Sequence, residues 1–101
     1  MKTTTKTYET NTREPRSEVL RRQYRRLGAE DLGYIIRRRE KSLEDTRDQR
    51  RLAQMVGAAE LVAALDVSIR RKCRELEVAK AVRGEKLREQ AAQAAEEQDN
   101  G

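Results

Sequence analysis

Apolar residues are concentrated in one stretch, residues 52–76, which reads LAQMVGAAELVAALDVSIRRKCREL. From Ala58 onward they recur every three or four positions, the spacing of one face of an α-helix. We therefore predict a helix that begins near Ala58, loses its pattern between Ala79 and Val82, and is punctuated by Gly84. The apolar stripe of this helix has to be buried against another surface, and we expect it to form an oligomer interface. Its residues are Leu61, Val62, Leu65, Ile69 and Leu76.

Two amphipathic segments precede this stretch. The first is predicted to begin at Ser17, a suitable N-cap, and to stop at Gly28, a suitable C-terminal residue. Its apolar side carries Leu20, Tyr24 and Leu27, and its opposite side carries four arginines: Arg21, Arg22, Arg25 and Arg26. The second segment is predicted to begin near Ala29, with an apolar stripe of Leu32, Ile35, Ile36 and Leu43. On its other side lie Tyr34, Arg37, Arg38 and Lys41.

The second segment changes character beyond Leu43, where Thr46 and Arg50 take the inward positions of the helical pattern. This part is expected to be solvated or to contact a polar partner. Gly57 then interrupts the helix, because an interior glycine costs about 1 kcal/mol relative to alanine. We predict a turn there that folds two helices into a hairpin, with a close helix contact as the alternative.

The two ends of the chain differ from its middle. Residues 1–16 are rich in threonine, with Tyr8 as the sole large apolar residue after Met1. They are expected to form a flexible basic arm, or a strand added to the sheet of a partner. Residues 84–101 are rich in Ala, Gln and Glu and are expected to form an acidic tail of weak helix. The helical domain is thus assigned to residues 17–83.

The composition agrees with an all-α protein. Ala, Glu, Lys, Leu and Arg make up more than half of the chain, as in long helices and coiled coils. Charged residues account for 41% of the sequence, and the net charge is +5. We predict a short basic helix followed by a long, coiled-coil-like helical hairpin. With so few core residues, a homodimer or a place in a larger complex is expected.

No secretory leader and no apolar run of about 20 residues is present, so we expect a cytoplasmic protein without a membrane partner. Catalysis is not expected, because histidine is absent and the serines have no evident activating partner. We also expect no metal and no cofactor. The single cysteine, Cys73, lies on the apolar stripe and is expected to be a small buried residue. Lys72 and Arg74 beside it leave a reactive thiol open as the alternative.

Basic helix faces are the strongest functional indication in the sequence. Arginine and lysine side chains neutralise phosphates and release counterions from nucleic acids, whatever the base sequence. An exposed tyrosine among them could stack on a base. The candidate nucleic-acid-binding residues are Arg21, Arg22, Arg25, Arg26, Tyr34, Arg37, Arg38, Lys41, Arg70, Arg71 and Arg74. The alternatives are that these faces only keep the helices soluble, or that an adaptor protein docks them onto a protein assembly.

Residues 60–77, ELVAALDVSIRRKCRELE, resemble the helix-turn-helix pattern of bacterial and phage DNA-binding proteins. Leu65, Val67, Ser68 and Leu76 stand where that pattern has Leu, Val, Ser and Leu, and Asp66 stands at the turn. The resemblance implies that Ser68 opens a recognition helix whose groove-facing residues are Arg70, Arg71 and Arg74. A continuous helix from Ala58 to Leu76 is the competing interpretation, because its apolar stripe is uninterrupted.

Overall fold

The computed structural model describes residues 16–100, which form three helices. These are α1 (Arg16–Tyr24), α2 (Ala29–Met55) and α3 (Ala59–Asn100). A short basic helix followed by a long helical hairpin is the predicted fold, and the structure confirms it. The arm predicted for residues 1–16 lies outside the described residues, except for Arg16, which opens α1.

The turn predicted at Gly57 joins α2 to α3. Gly57 has a φ of +75°, a left-handed conformation that costs other residues about 1–2 kcal/mol. The amide of Ala58 donates to the carbonyl of Ala53 at 2.9 Å, and the amide of Gly57 donates to the carbonyl of Gln54 at 3.1 Å. These bonds satisfy the last carbonyls of α2, so the chain reverses within three residues.

Helices α2 and α3 run antiparallel along the full length of α2. Near the turn, Arg50 contacts Asp66; in the middle, Lys72 contacts Thr46. At the far end, the guanidinium Nε of Arg83 donates to the carbonyl of Ala29 at 3.1 Å. Each pair joins residues at nearly equal distances from the turn, so the two helices pack side by side without a large offset.

Helix α1 lies alongside α3 and points in the same direction. Its first residue, Arg16, contacts Glu75, and Arg25 beyond its last turn contacts Glu89. The contact places the apolar side of α1 over the hairpin and closes a small core. The buried members of this core are Leu20, Tyr24, Leu32, Ala79 and Val82, with Leu27, Ile35, Ile36 and Val78 packed against them.

Two features of α3 differ from the expectations. The apolar pattern was expected to fade between Ala79 and Val82, which is wrong, because both residues are fully buried under α1. Alanine is small enough to admit a close helix, so the weakest part of the stripe is completely buried. The helix-turn-helix interpretation is also wrong: residues 60–77 lie within α3, a single helix that passes Gly84 and continues to Asn100.

Candidate nucleic-acid interface

The arginines of the α1 segment contact glutamates of α3. Arg21 Nη1 donates to Glu85 at 2.7 Å, and Arg25 donates to Glu85 at 2.8 Å and to Glu89 at 3.1 Å. The hydrogen bond from Arg21 is the main reason that the pKa of Glu85 lies below its ordinary value. The bond to Glu89 is the main reason that the pKa of Arg25 lies above its own. Both arginines therefore fasten α1 to α3.

This pairing was missed from the sequence, although a pattern for it exists. Arg21 and Arg25 are four residues apart, and so are Glu85 and Glu89. Residues at that spacing share one helix face, so two parallel helices can bring the two pairs together. The neighbouring Arg22 and Arg26 are exposed. Arg26 has no ion pair among the described residues.

A second group of candidate residues lies on the outer side of α2. Arg38 donates a hydrogen bond to the hydroxyl of Tyr34 at 3.0 Å, and its guanidinium lies 5.7 Å from the centre of that ring. Arg37 and Lys41 line the same shallow depression, together with Ser42 and Asp45. Arg37 forms no ion pair within residues 16–100, and Lys41 has a long one of 3.9 Å to Asp45. We name Tyr34, Arg37, Arg38 and Lys41 the α2 cluster.

A third group, Arg70, Arg71 and Arg74, is exposed on α3, and we name it the α3 cluster. None of the three forms an ion pair within the described part of the chain. Arg71 and Arg74 line a small cleft beside the first turn of α1, where the carboxylate of Glu75 is buried. That carboxylate already accepts bonds from Arg16 at 3.1 Å and from Arg39 at 2.9 Å. No carboxylate among the described residues therefore compensates the positive charge of the α3 cluster.

A polar seam lies inside the distal half of the hairpin, at the positions where the apolar stripe of α2 fails. Lys72 Nζ donates to Ser42 Oγ at 2.8 Å and to Thr46 Oγ1 at 2.7 Å. Arg50 contacts Asp66 in the same interhelical space. The expected polar partner of Thr46 and Arg50 is therefore α3 of the same chain. Sequence reasoning placed Lys72 at the edge of the stripe and did not pair it with α2.

Cys73 lies in the same region and is half-buried rather than fully buried. Its Sγ accepts a long contact of 3.9 Å from the guanidinium of Arg47. It is a free cysteine that packs between the two helices beside the polar seam.

The residues expected at an oligomer interface divide into two sets. Leu76 is buried by α2 within the single chain. Val62, Leu65 and Ile69 are half-buried, and Leu61 is 51% exposed. Around the turn, Leu52, Met55 and Val56 are more exposed still, with Met55 and Val56 at 80% and 78%. The single chain therefore leaves an apolar surface near the turn.

No protein-family model, no curated protein and no solved structure matches this chain. Within residues 16–100, no helix combines the length and the apolarity that crossing a membrane requires.

Proposed function

We propose that this protein is a small cytoplasmic accessory or regulatory protein that binds nucleic acid through its phosphate backbone. The observation that carries the proposal is that most cations of the α2 and α3 clusters have no carboxylate partner among residues 16–100. Arg37, Arg70, Arg71 and Arg74 are exposed and have no ion pair among the described residues. A phosphate that binds there releases counterions from the nucleic acid and does not break an existing ion pair.

The arginines of α1 have a different role in this proposal. Arg21 and Arg25 already bind Glu85 and Glu89, so a phosphate would have to compete with two carboxylates for them. The binding residues are accordingly those of the α2 and α3 clusters, with Arg26 as an additional contact. Tyr34 is 53% exposed and is braced by Arg38, so its ring offers a stacking surface for an unpaired base.

Fluorescence anisotropy with labelled single- and double-stranded DNA and RNA tests this function, at about 50 and 200 mM salt. We expect micromolar or tighter binding that weakens steeply with salt. The variants R37A/R38A and R70A/R74A should each reduce the salt-dependence slope by about 2, because each lost phosphate contact removes about one unit.

The matched control is R51A/K80A, which removes the same charge from exposed cations that are ion-paired to Asp48 and Glu40. It should bind almost as the wild type does. Absence of binding to all four ligands at the lower salt would refute the proposal. If the control loses as much affinity as the cluster variants do, binding depends only on the net charge of the protein and not on these clusters.

An adaptor that docks onto a larger protein assembly is the second candidate function. The exposed apolar residues around the turn favour it, because isolated soluble proteins rarely leave such residues adjacent to one another. The two functions predict different variants that abolish binding. Loss of charge in the clusters should abolish nucleic-acid binding, whereas polar substitutions near the turn should abolish docking onto a protein assembly. In either function the working form is a homodimer or a component of a complex.

A further inference from the structure

Helix α1 covers only half of the hairpin. It begins at Arg16, beside Glu75, and continues away from the turn towards Glu89. The 16 residues of α3 from Ala59 to Arg74 therefore lie beyond the start of α1, as does the facing part of α2. We name this part, from about Ser42 through the turn to Arg74, the distal hairpin.

The row of α3 that receives α1 continues into the distal hairpin. Val82 packs in the core under α1, and Glu75 accepts a hydrogen bond from Arg16 of α1. Counting back from Glu75 in steps of seven residues, the same helix face carries Ser68 and then Leu61. On the α2 side, the row that begins with Ile35 in the core ends at Val56, the residue that follows the last turn of α2, at the same seven-residue spacing. Leu61 is 51% exposed and Val56 is 78% exposed. Within residues 16–100, no third helix packs over the distal hairpin.

The size of this surface suits a small but specific interface. At 1.5 Å per residue, 16 residues of helix extend about 24 Å. Two helices side by side present a face about 20 Å wide, which gives a footprint of about 500 Å² before the corrugation of the side chains is counted. A standard interface buries about 800 Å² per partner, so the whole face has to be used. A partner of the same length and shape would do so.

The charge distribution identifies that partner. Residues 52–65 carry a single charged side chain, Glu60, in a chain whose net charge is +5. The basic surfaces of two copies repel each other, and a nearly uncharged surface avoids this repulsion. Residues 1–15 are poor candidates for the same place, since Met1 and Tyr8 are their only large apolar residues.

We propose that a second copy of this chain covers the distal hairpin, with the two hairpins antiparallel and related by a twofold axis. The two halves then form a short four-helix bundle around Leu61, Leu65 and Val56. In this arrangement the turn of each copy lies beside the start of α1 in the other. Glu60 of one copy comes to the level of Arg71 of the other, so the lone acid near the turn meets an arginine without an ion pair. This proposal assigns a surface to the homodimer named under the proposed function.

Sedimentation velocity of the full chain from about 1 to 200 µM tests the proposal. The weight-average mass should rise from the 11.7 kDa of one chain towards twice that value. V56D and L61D should each raise the dissociation constant of the dimer at least tenfold, since each places a charge in the dimer core. L87D is the matched control: Leu87 is 39% exposed on the same helix, 13 residues beyond the end of the distal hairpin at Arg74. It should dimerise as the wild type does.

A charge reversal supplies a second readout that a folding defect cannot imitate. E60R and R71E should each weaken the dimer, and E60R/R71E should restore it. A wild-type chain that stays monomeric at 200 µM overturns the proposal and leaves the distal hairpin to another protein. Failure of the double variant to recover overturns the antiparallel arrangement. The anisotropy variants R37A/R38A and R70A/R74A leave Arg71 in place, so they test nucleic-acid binding separately from the dimer, and either proposal can fail alone.

Discussion

Replacing Leu32 by alanine is the sharpest test of how the three helices are held together. Leu32 is 0% exposed and belongs to the core that α1 closes over the hairpin. Removing a buried leucine side chain costs about 3 kcal/mol, from lost burial and from the cavity that remains. Leu32 and Val82 are the largest completely buried side chains among the described residues, so the substitution leaves a cavity inside the core.

Urea unfolding followed by circular dichroism at 222 nm measures the effect. With a slope of about 1.5 kcal/mol per molar urea, a loss of about 3 kcal/mol lowers the midpoint by about 2 M. Small domains have about 5–15 kcal/mol of stability in total, so the variant should remain folded in water but with a small margin. The measurement should be made at low micromolar concentration, where self-association contributes least.

Leu87 provides the matched control, because it is a leucine of α3 that remains 39% exposed. L87A should cost under about 1 kcal/mol, as surface substitutions usually do. A loss under about 1 kcal/mol for L32A itself would contradict the reasoning. It would mean that α1 does not close over this part of the hairpin.

Two further predictions concern the turn and the contact between α1 and α3. G57A should destabilise the chain by about 1 kcal/mol, because Gly57 has a left-handed φ of +75°. G84A should instead stabilise it by up to about 1 kcal/mol, because Gly84 lies inside α3 with room for a methyl group. Opposite signs in urea melts are the check, and equal signs would contradict the assignment of the turn. E85Q should lower the melting temperature at neutral pH. The hydrogen bond from Arg21 lowers the pKa of Glu85, so this stabilisation is present above the ordinary glutamate pKa of about 4.3 and is lost as the pH falls through the lower, folded value. The difference between wild type and E85Q should therefore disappear in acid, and a difference that persists at pH 2 would count against this ion pair as its source.

Most of the fold could be predicted from local patterns. Helix α2 begins at Ala29 as expected, and the hairpin turns at Gly57, because caps, glycines and a 3.6-residue period are properties of adjacent residues. The outward position of Tyr34 among arginines followed from the same period.

The pairing of distant segments could not be predicted in the same way. Arg25 and Glu89 are separated by 64 residues, and their contact depends on the direction in which α1 lies on the hairpin. Ala79 looked like the end of a stripe because alanine adds little to an apolar pattern. In the structure it is completely buried, since a small residue lets α1 approach α3. Charge counts likewise overestimated how many arginines of α1 are free for a partner.

The polar seam between α2 and α3 has a consequence for alignment errors during folding. A seam made only of leucines can slip by one heptad and still bury apolar groups. Here a slip of seven residues would move Lys72 from the hydroxyl of Thr46 to Ala53 in one direction or to Arg39 in the other. The half-buried ammonium would then lose both hydroxyl acceptors or face a like charge, at a cost of about 1–3 kcal/mol. The polar residues that weaken the apolar stripe thus exclude misaligned hairpins.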